Sequence, residues 1–249
     1  MKIWMTGLSC LVLLAACRKE VTTQILTGPN GTLDKQAVGR SAHDLLSADT
    51  YTSLSLSIQY APGMKPLDQS INNLVNFLNT YLHKPVGITY TETATASLGK
   101  DPASTADITS YEDRNRQVYS DGNTLSVYLF LADAGYEQPD VIGLSFRNTS
   151  IVLFEKTIQS RSGGLNQASR ITVETGTLEH EMGHLLGLVN TGSSMITPHE
   201  DSTHKGHCSN NKCLMYYTIE TSGLMNPFGN AAPALDQDCI NDLRANGGK

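Results

Sequence analysis

Two histidines and a glutamate in HEMGHLLGLVN (residues 180–190) have the types and spacing of a metal-dependent hydrolytic site. Residues four apart lie on one face of a helix, about 5–6 Å from each other, so His180 and His184 can bind one zinc ion together. Glu181 can then take a proton from a water molecule that the metal acidifies. A chance match is expected in about one of a hundred chains with this many histidines. The pattern therefore predicts zinc-dependent hydrolysis.

Gly187 extends this pattern, because a glycine three residues after the second histidine lets the chain leave the helix in a left-handed conformation. The resulting HExxHxxG resembles the metzincin clan of zinc metallopeptidases. In that clan the third zinc ligand stands three residues after the glycine, where this chain has Asn190. Asparagine is a poor zinc ligand, so the third ligand is expected from another part of the chain.

The downstream segment HEDSTHKGHCSNNKCLMYY (residues 199–217) offers this ligand. Its HC-x4-C-x-M pattern resembles the segment that archaemetzincins place directly after their glycine, here with the histidine at position 207 instead of 190. The resemblance implies that His207 is the third zinc ligand, with His204 as the alternative. His199 belongs to HED (residues 199–201), which could equally bind calcium or no ion.

Two residues after Cys213 stands Met215, which the resemblance identifies as the methionine of the Met-turn, an apolar floor below the zinc. Met225 is a weaker candidate for this turn. Tyr217 has the offset from Met215 of a tyrosine that stabilises the transition state in astacin-like and serralysin-like metzincins. Tyr217 is therefore a speculative catalytic residue, and the alternative is an aromatic side chain that only packs.

Beyond the N-terminal region the chain has three cysteines, Cys208, Cys213 and Cys239. Archaemetzincins hold a second, structural zinc ion with the two cysteines of HC-x4-C and a later C-x-x-C pair. In this chain Asp236 and Cys239 have the spacing of that later pair. The first alternative is a zinc site of the three cysteines completed by Asp236. The second is a Cys208–Cys213 disulfide that leaves Cys239 unpaired.

The N-terminus has the pattern of an export signal, with an early lysine and an apolar run at residues 8–16. LAAC (residues 14–17) resembles the lipobox of bacterial lipoproteins, in which the cysteine is lipidated and becomes the mature N-terminus. The resemblance makes residues 1–17 a signal peptide and Cys17 a lipid anchor, and the alternative is an ordinary cleaved signal. Residues 18–47 are interpreted as a tether. We expect an exported lipoprotein at the periplasmic face or the cell surface, most readily on the outer membrane.

The periodicity of the remaining chain predicts the elements that must position the site. The predicted strands are SLSLSIQY, PVGITYTE, a central TLSVYLFLAD and a VIGLSF/SIVLFE hairpin. The predicted helices are LDQSINNLVNFLNTYL, ADITSYEDRNRQVY, a helix that carries the HExxH motif and ends near residues 187–190, and PALDQDCINDLR. This order predicts an α+β metallopeptidase domain at residues 48–249, with a metzincin-like mixed twisted sheet and an active-site helix. Its upper lobe spans about residues 48–190, and a small irregular lobe (about 191–249) ends in a helix.

The net charge of −6 and the pI near 5.6 argue against a nucleic-acid partner. An edge strand of the hairpin above the zinc would pair with an extended peptide, so the predicted substrate is a peptide or protein. The predicted function is zinc-dependent endopeptidase activity with one catalytic zinc ion. The alternatives are a gluzincin-type zinc hydrolase with Glu200 as third ligand and a surface lipoprotein that binds zinc without catalysis.

Overall fold

The computed structural model describes residues 32–165, 167–220 and 232–249. Its strands are β1 (Ser53–Tyr60), β2 (Gly87–Ala94), β3 (Thr124–Leu131), β4 (Gly143–Arg147) and β5 (Ser150–Leu153). Its helices are α1 (Ala42–Leu46), α2 (Asp68–Tyr81), α3 (Thr105–Asn115), α4 (Glu155–Arg161), α5 (Arg170–Leu185) and α6 (Gln237–Ala245), with short 3-10 helices at Leu33–Lys35 and Tyr217–Glu220. No helix among these residues is long and apolar enough to cross a membrane.

The five strands form one mixed sheet in the order β2-β1-β3-β5-β4. The pairs β1–β2, β1–β3 and β3–β5 are parallel, whereas β4 is antiparallel to β5. The predicted hairpin is therefore present, with β4 at the edge of the sheet. The strong apolar strand β3 is central, as expected for a strand that is buried on both faces.

Helices cover both faces of the sheet. Alternate residues of β3 point to opposite faces, and the side chains on each face are buried in a separate core. Leu125, Val127 and Leu129 belong to the core that includes α2 and α5. Tyr128 and Phe130 belong to a second core with residues of α3. The result is a three-layer α+β architecture, which confirms the predicted fold class.

The predicted tether from 18 to 47 overlaps residues that are folded. From Thr32 onward, the chain packs on the domain, and the side chains of Leu45 and Leu46 are fully buried in the core. The buried Asp34 carboxylate accepts hydrogen bonds from the backbone N–H and the hydroxyl of Ser120 at 2.9 and 2.6 Å. The folded domain thus includes residues 32–47. The buried apolar and polar side chains of this segment find their partners only in the tertiary structure.

Candidate metal centre

Helix α5 carries the HExxH motif through the interior of the domain. Its N-terminus is capped by Ser169, whose hydroxyl oxygen accepts the Thr172 backbone N–H at 3.1 Å. The helix contacts α2, β4, β5 and the second 3-10 helix, so most of its side chains are buried. It ends before Gly187, whose φ of 78° lies in the left-handed region. Glycine therefore ends the helix directly after the motif, as the sequence predicted.

Three imidazoles converge at this helix. The ligand atoms of His180, His184 and His207 all lie within 4.8 Å of one another. The two Nε2 atoms of His180 and His184 are 3.1 Å apart. A tetrahedral zinc ion with Zn–N distances of about 2.0–2.1 Å holds two nitrogen ligands about 3.3 Å apart, so this donor set fits zinc in both chemistry and spacing.

Backbone carbonyls orient two of these rings. The Nδ1 atom of His180 is 2.7 Å from the carbonyl oxygen of Leu214, and Nδ1 of His207 is 3.1 Å from that of Lys205. A carbonyl only accepts hydrogen bonds, so we assign the proton to Nδ1 in both rings. That tautomer leaves the Nε2 lone pair available for a metal ion.

Glu181 is only 1% exposed and lies against the edge strand β4. Its Oε2 atom accepts a hydrogen bond from the hydroxyl of Ser145 at 2.8 Å. A Cβ atom at Gly143 would lie 2.4 Å from the Thr177 methyl group and 3.0 Å from Glu181 Oε1. The absence of a side chain at position 143 thus lets β4 approach the turn of α5 that carries Glu181 closely.

Met215 is fully buried beside the same turn of α5. A Cβ atom added to Gly183 would lie 2.3 Å from the Met215 sulfur, so the methionine packs directly on the helix backbone between the two motif histidines. Its neighbour Leu214 supplies the carbonyl that orients His180. The assignment of Met215 to a Met-turn stays a prediction, and the other candidate, Met225, lies outside the described residues.

His204 and Tyr217 lie together, and His204 is not one of the three converging imidazoles. Their rings stack with centroids 3.6 Å apart at an interplanar angle of 4°. The Nδ1 atom of His204 is also 3.2 Å from a carboxylate oxygen of Asp201. His204 is thus engaged by Tyr217 and Asp201, and the catalytic role of Tyr217 stays a prediction.

Asn190, at the position of the clan's third ligand, and Glu200, the gluzincin-type candidate, are placed differently. Asn190 is exposed with a φ of 65°. The Oε1 atom of Glu200 accepts the Gly206 backbone N–H at 3.0 Å, and Oε2 pairs with Lys205 at 3.1 Å. Neither residue belongs to the histidine group, so the geometry favours His207 over both.

The three cysteines form a second buried group, in which each is a free thiol. The sulfur atoms of Cys213 and Cys239 are 3.6 Å apart. Ligand atoms of Cys208, Cys239, Asp236 and His199 lie within 4.8 Å of one another. The structure brings Cys208, Cys239 and Asp236 together, whereas the predicted member Cys213 is not part of this group of four and His199 was not predicted to be one. No spacing rule in the sequence connects His199 with the cysteines nine or more residues away.

Hydrogen bonding sets the charge of this group. Hydrogen bonds from the Cys208 and Cys239 thiols lower the pKa of Cys213 below its usual value, which favours its thiolate form. Burial lowers the pKa of His199, but hydrogen bonds with Cys208 and Asp242 outweigh it and leave the pKa raised. The group thus combines sulfur donors, a ring nitrogen and negative charge, which suits a divalent cation.

No protein-family model and no curated protein matches the chain. Among solved structures, archaemetzincin from Methanopyrus kandleri is similar, with a TM-score of 0.50 and 14% identity over 78% of this chain and 96% of that chain. Metalloproteinase-II from Bacteroides fragilis matches with a TM-score of 0.47 and 16% identity over 88% of this chain, which spans 59% of that protein. The first likeness concerns the fold alone, and the chain therefore has an archaemetzincin-like, metallopeptidase-type fold.

Proposed function

We propose that this chain is a zinc-dependent endopeptidase of the metzincin type. The observation that carries the proposal is the convergence of three histidine side chains, two from helix α5 and one from a downstream loop. They lie beside a buried glutamate of the same helix. His180, His184 and His207 would hold the ion. Three imidazole ligands leave a fourth position for water, as catalytic zinc sites require. A bound zinc ion supplies a Lewis acid that polarises a carbonyl group and lowers the pKa of water to near 7.

The chain's own residues handle the protons. Glu181 accepts a proton from the attacking water and donates it to the departing amine. Ser145 holds the Glu181 carboxylate through a hydrogen bond of 2.8 Å, which fixes the direction in which the base points. The Glu181 side chain is itself buried, and a low local dielectric strengthens its hydrogen bond with Ser145.

Strand β4 supports the choice of a peptide substrate. It is one of the two edge strands of the sheet, and its residues Gly143 and Ser145 lie beside Glu181. An edge strand presents unpaired backbone N–H and C=O groups, which hydrogen-bond to an extended peptide. A sugar or phosphate ester offers no matching ladder of backbone groups.

The test compares Glu181→Gln with Glu200→Gln, using mass spectrometry to detect cleavage of a denatured protein or a peptide library. General-base catalysis contributes about 10²–10⁴-fold, so Glu181→Gln should lower kcat by this factor and keep its zinc. Glu200→Gln should retain both zinc and activity. Loss of zinc in Glu200→Gln would instead support the gluzincin-type alternative. A wild-type protein that binds zinc but cleaves no peptide would support a non-catalytic zinc-binding lipoprotein.

We further propose that Cys17 anchors the protein to a membrane. This proposal rests on the LAAC sequence, which lies outside the described residues. Metabolic labelling with a radioactive fatty acid in a bacterial host should label the wild type and not Cys17→Ser. Equal labelling of both would contradict the anchor. A soluble, cleaved wild-type protein would support an ordinary export signal.

A further inference from the structure

The cysteines of the C-terminal lobe lie beside His199, a residue that the cysteine spacing in the sequence did not associate with them. We propose that His199, together with Cys208, Cys213 and Cys239, holds a structural zinc ion, while Asp236 caps helix α6. All three cysteines are fully buried, and His199 is 6% exposed. The cluster is separate from the histidine site, so the proposal does not depend on peptidase activity.

Three of the distances between the proposed ligand atoms are close to those of a tetrahedral Cys3His site. With Zn–S of about 2.3 Å and Zn–N of about 2.0–2.1 Å, two sulfur ligands lie about 3.8 Å apart, and a sulfur and a nitrogen about 3.6 Å apart. The Cys213 and Cys239 sulfur atoms are 3.6 Å apart. Nδ1 of His199 is 3.4 Å from the Cys208 sulfur and 4.0 Å from that of Cys239. A disulfide would instead need about 2.05 Å between sulfur atoms.

Asp236 already uses both carboxylate oxygens. Oδ1 accepts the Cys239 backbone N–H at 3.0 Å and thereby caps the first turn of α6. Oδ2 accepts the Asn210 side-chain amide at 2.9 Å. Its backbone N–H also donates to the Cys213 sulfur at 3.4 Å. Oδ2 also lies 3.3 Å from the Cys208 sulfur. Asp236 thus contacts the sulfur atoms of Cys208 and Cys213, and we assign it the capping role and His199 the role of fourth ligand.

His199 has the orientation of a metal ligand. Its Nε2 atom is 2.8 Å from Oδ2 of Asp242, which is fully buried. The other Asp242 oxygen accepts the Ile196 backbone N–H at 2.7 Å, so the carboxylate is held in place. Metal-bound histidines commonly donate their second ring N–H to such a carboxylate. Asp242 therefore directs the Nδ1 lone pair of His199 towards the sulfur atoms.

The cluster also holds the segment that carries the third catalytic histidine. Cys208 follows His207 directly, and the backbone N–H of Cys208 donates to the Met215 carbonyl at 2.8 Å. Ser209 N–H donates to the His199 carbonyl at the same distance. A metal ion bound by His199 and the cysteines would thus fix both ends of this loop beside the histidine site.

Zinc analysis and cobalt substitution of the purified full chain test the proposal. We expect about two zinc ions per chain, and a cobalt derivative with a thiolate charge-transfer band, since sulfur ligands produce such a band and imidazoles do not. His184→Ala should keep this band, because it affects only the histidine site. Failure of the proposed peptidase would leave the band unchanged, so the two proposals fail separately.

Three variants identify the fourth ligand. His199→Ala should lose most of the thiolate band and about one zinc ion, whereas Asp236→Asn, which can still cap α6, should keep both. His199→Cys should keep the metal and raise the band by about one third, because it has four thiolates instead of three. This variant separates loss of a ligand from failure to fold.

Two results would overturn the assignment. Retention of the band in His199→Ala with its loss in Asp236→Asn would make Asp236 the ligand. A disulfide-linked peptide containing two of the cysteines, detected by mass spectrometry of the unreduced wild-type protein, would exclude the thiolate site altogether.

Discussion

Replacing Gly187 with alanine tests how the chain leaves the active-site helix. Gly187 has a φ of 78°, and an added Cβ atom would lie 2.4 Å from the Ser193 backbone nitrogen and 2.8 Å from the Ala42 Cβ atom. Both the backbone conformation and the contacts therefore oppose a side chain. Gly63 offers a matched control, because its φ is also 78° and nothing lies within 4 Å of an added Cβ.

The two costs can be separated in magnitude. A left-handed conformation costs an alanine about 1–2 kcal/mol, and overpacking adds about 1–3 kcal/mol. Gly63→Ala should therefore lower the free energy of unfolding by about 1–2 kcal/mol, and Gly187→Ala by about 2–5 kcal/mol. For a chain of this size, the difference of about 1–3 kcal/mol between the variants corresponds to about 2–12 °C in Tm.

Urea unfolding followed by circular dichroism measures these free energies, with thermal unfolding as a second measure. The change in unfolded-state entropy is the same Gly→Ala change in both variants, so it cancels in the comparison. Equal losses in Gly187→Ala and Gly63→Ala would refute the packing argument. No loss in either variant would refute the argument from the left-handed conformation.

Two further substitutions test the catalytic base and a buried carboxylate pair. Ser145→Ala removes a hydrogen bond to the Glu181 carboxylate that is worth about 1.5–3 kcal/mol. We therefore expect kcat to fall about 10–100-fold with the zinc content unchanged. An unchanged kcat would argue against positioning of Glu181 by Ser145. Burial, and then repulsion from Glu174, raises the pKa of Glu155 to about 8. The folded state therefore retains a proton that the unfolded state releases, and this contribution to stability is lost as the pH rises from about 4.5 to 8. Glu155→Gln should thus gain about 1–3 kcal/mol relative to the wild type between pH 4.5 and 8.5 in urea unfolding, and a pH-independent difference would contradict this.

Local patterns predicted most of the regular structure. The alternation in residues 53–60 coincides with β1 at both ends, and the helical spacing after it predicted α2 within one residue of each end. The continuous apolar run of β3 indicated a strand buried on both faces. These patterns are reliable because the spacing of apolar residues along a strand or helix shows whether one face or both faces of that element are buried.

The segments that escaped prediction lack such a pattern. Helix α4 (Glu155–Arg161) is short and polar, and the predicted strand before it was extended to Glu155. Residues 32–47 contain Asp34 and Ser41, whose polarity suggested a tether, yet both side chains are buried with hydrogen-bond partners more than 80 residues away. Partners this distant leave no periodic signal in the local sequence.

By itself the sequence determined the helix with His180, Glu181 and His184, because ligand spacing on one helix is a local property. It also limited the third ligand to a few histidines and associated Asp236 with the cysteines. Only the tertiary structure brought His207 to the motif, placed His199 beside the cysteines and gave Asp236 its capping role. The physical reason is that the path of an irregular loop depends on long-range contacts, such as the hydrogen bond between His180 and the Leu214 carbonyl, which residue spacing does not encode.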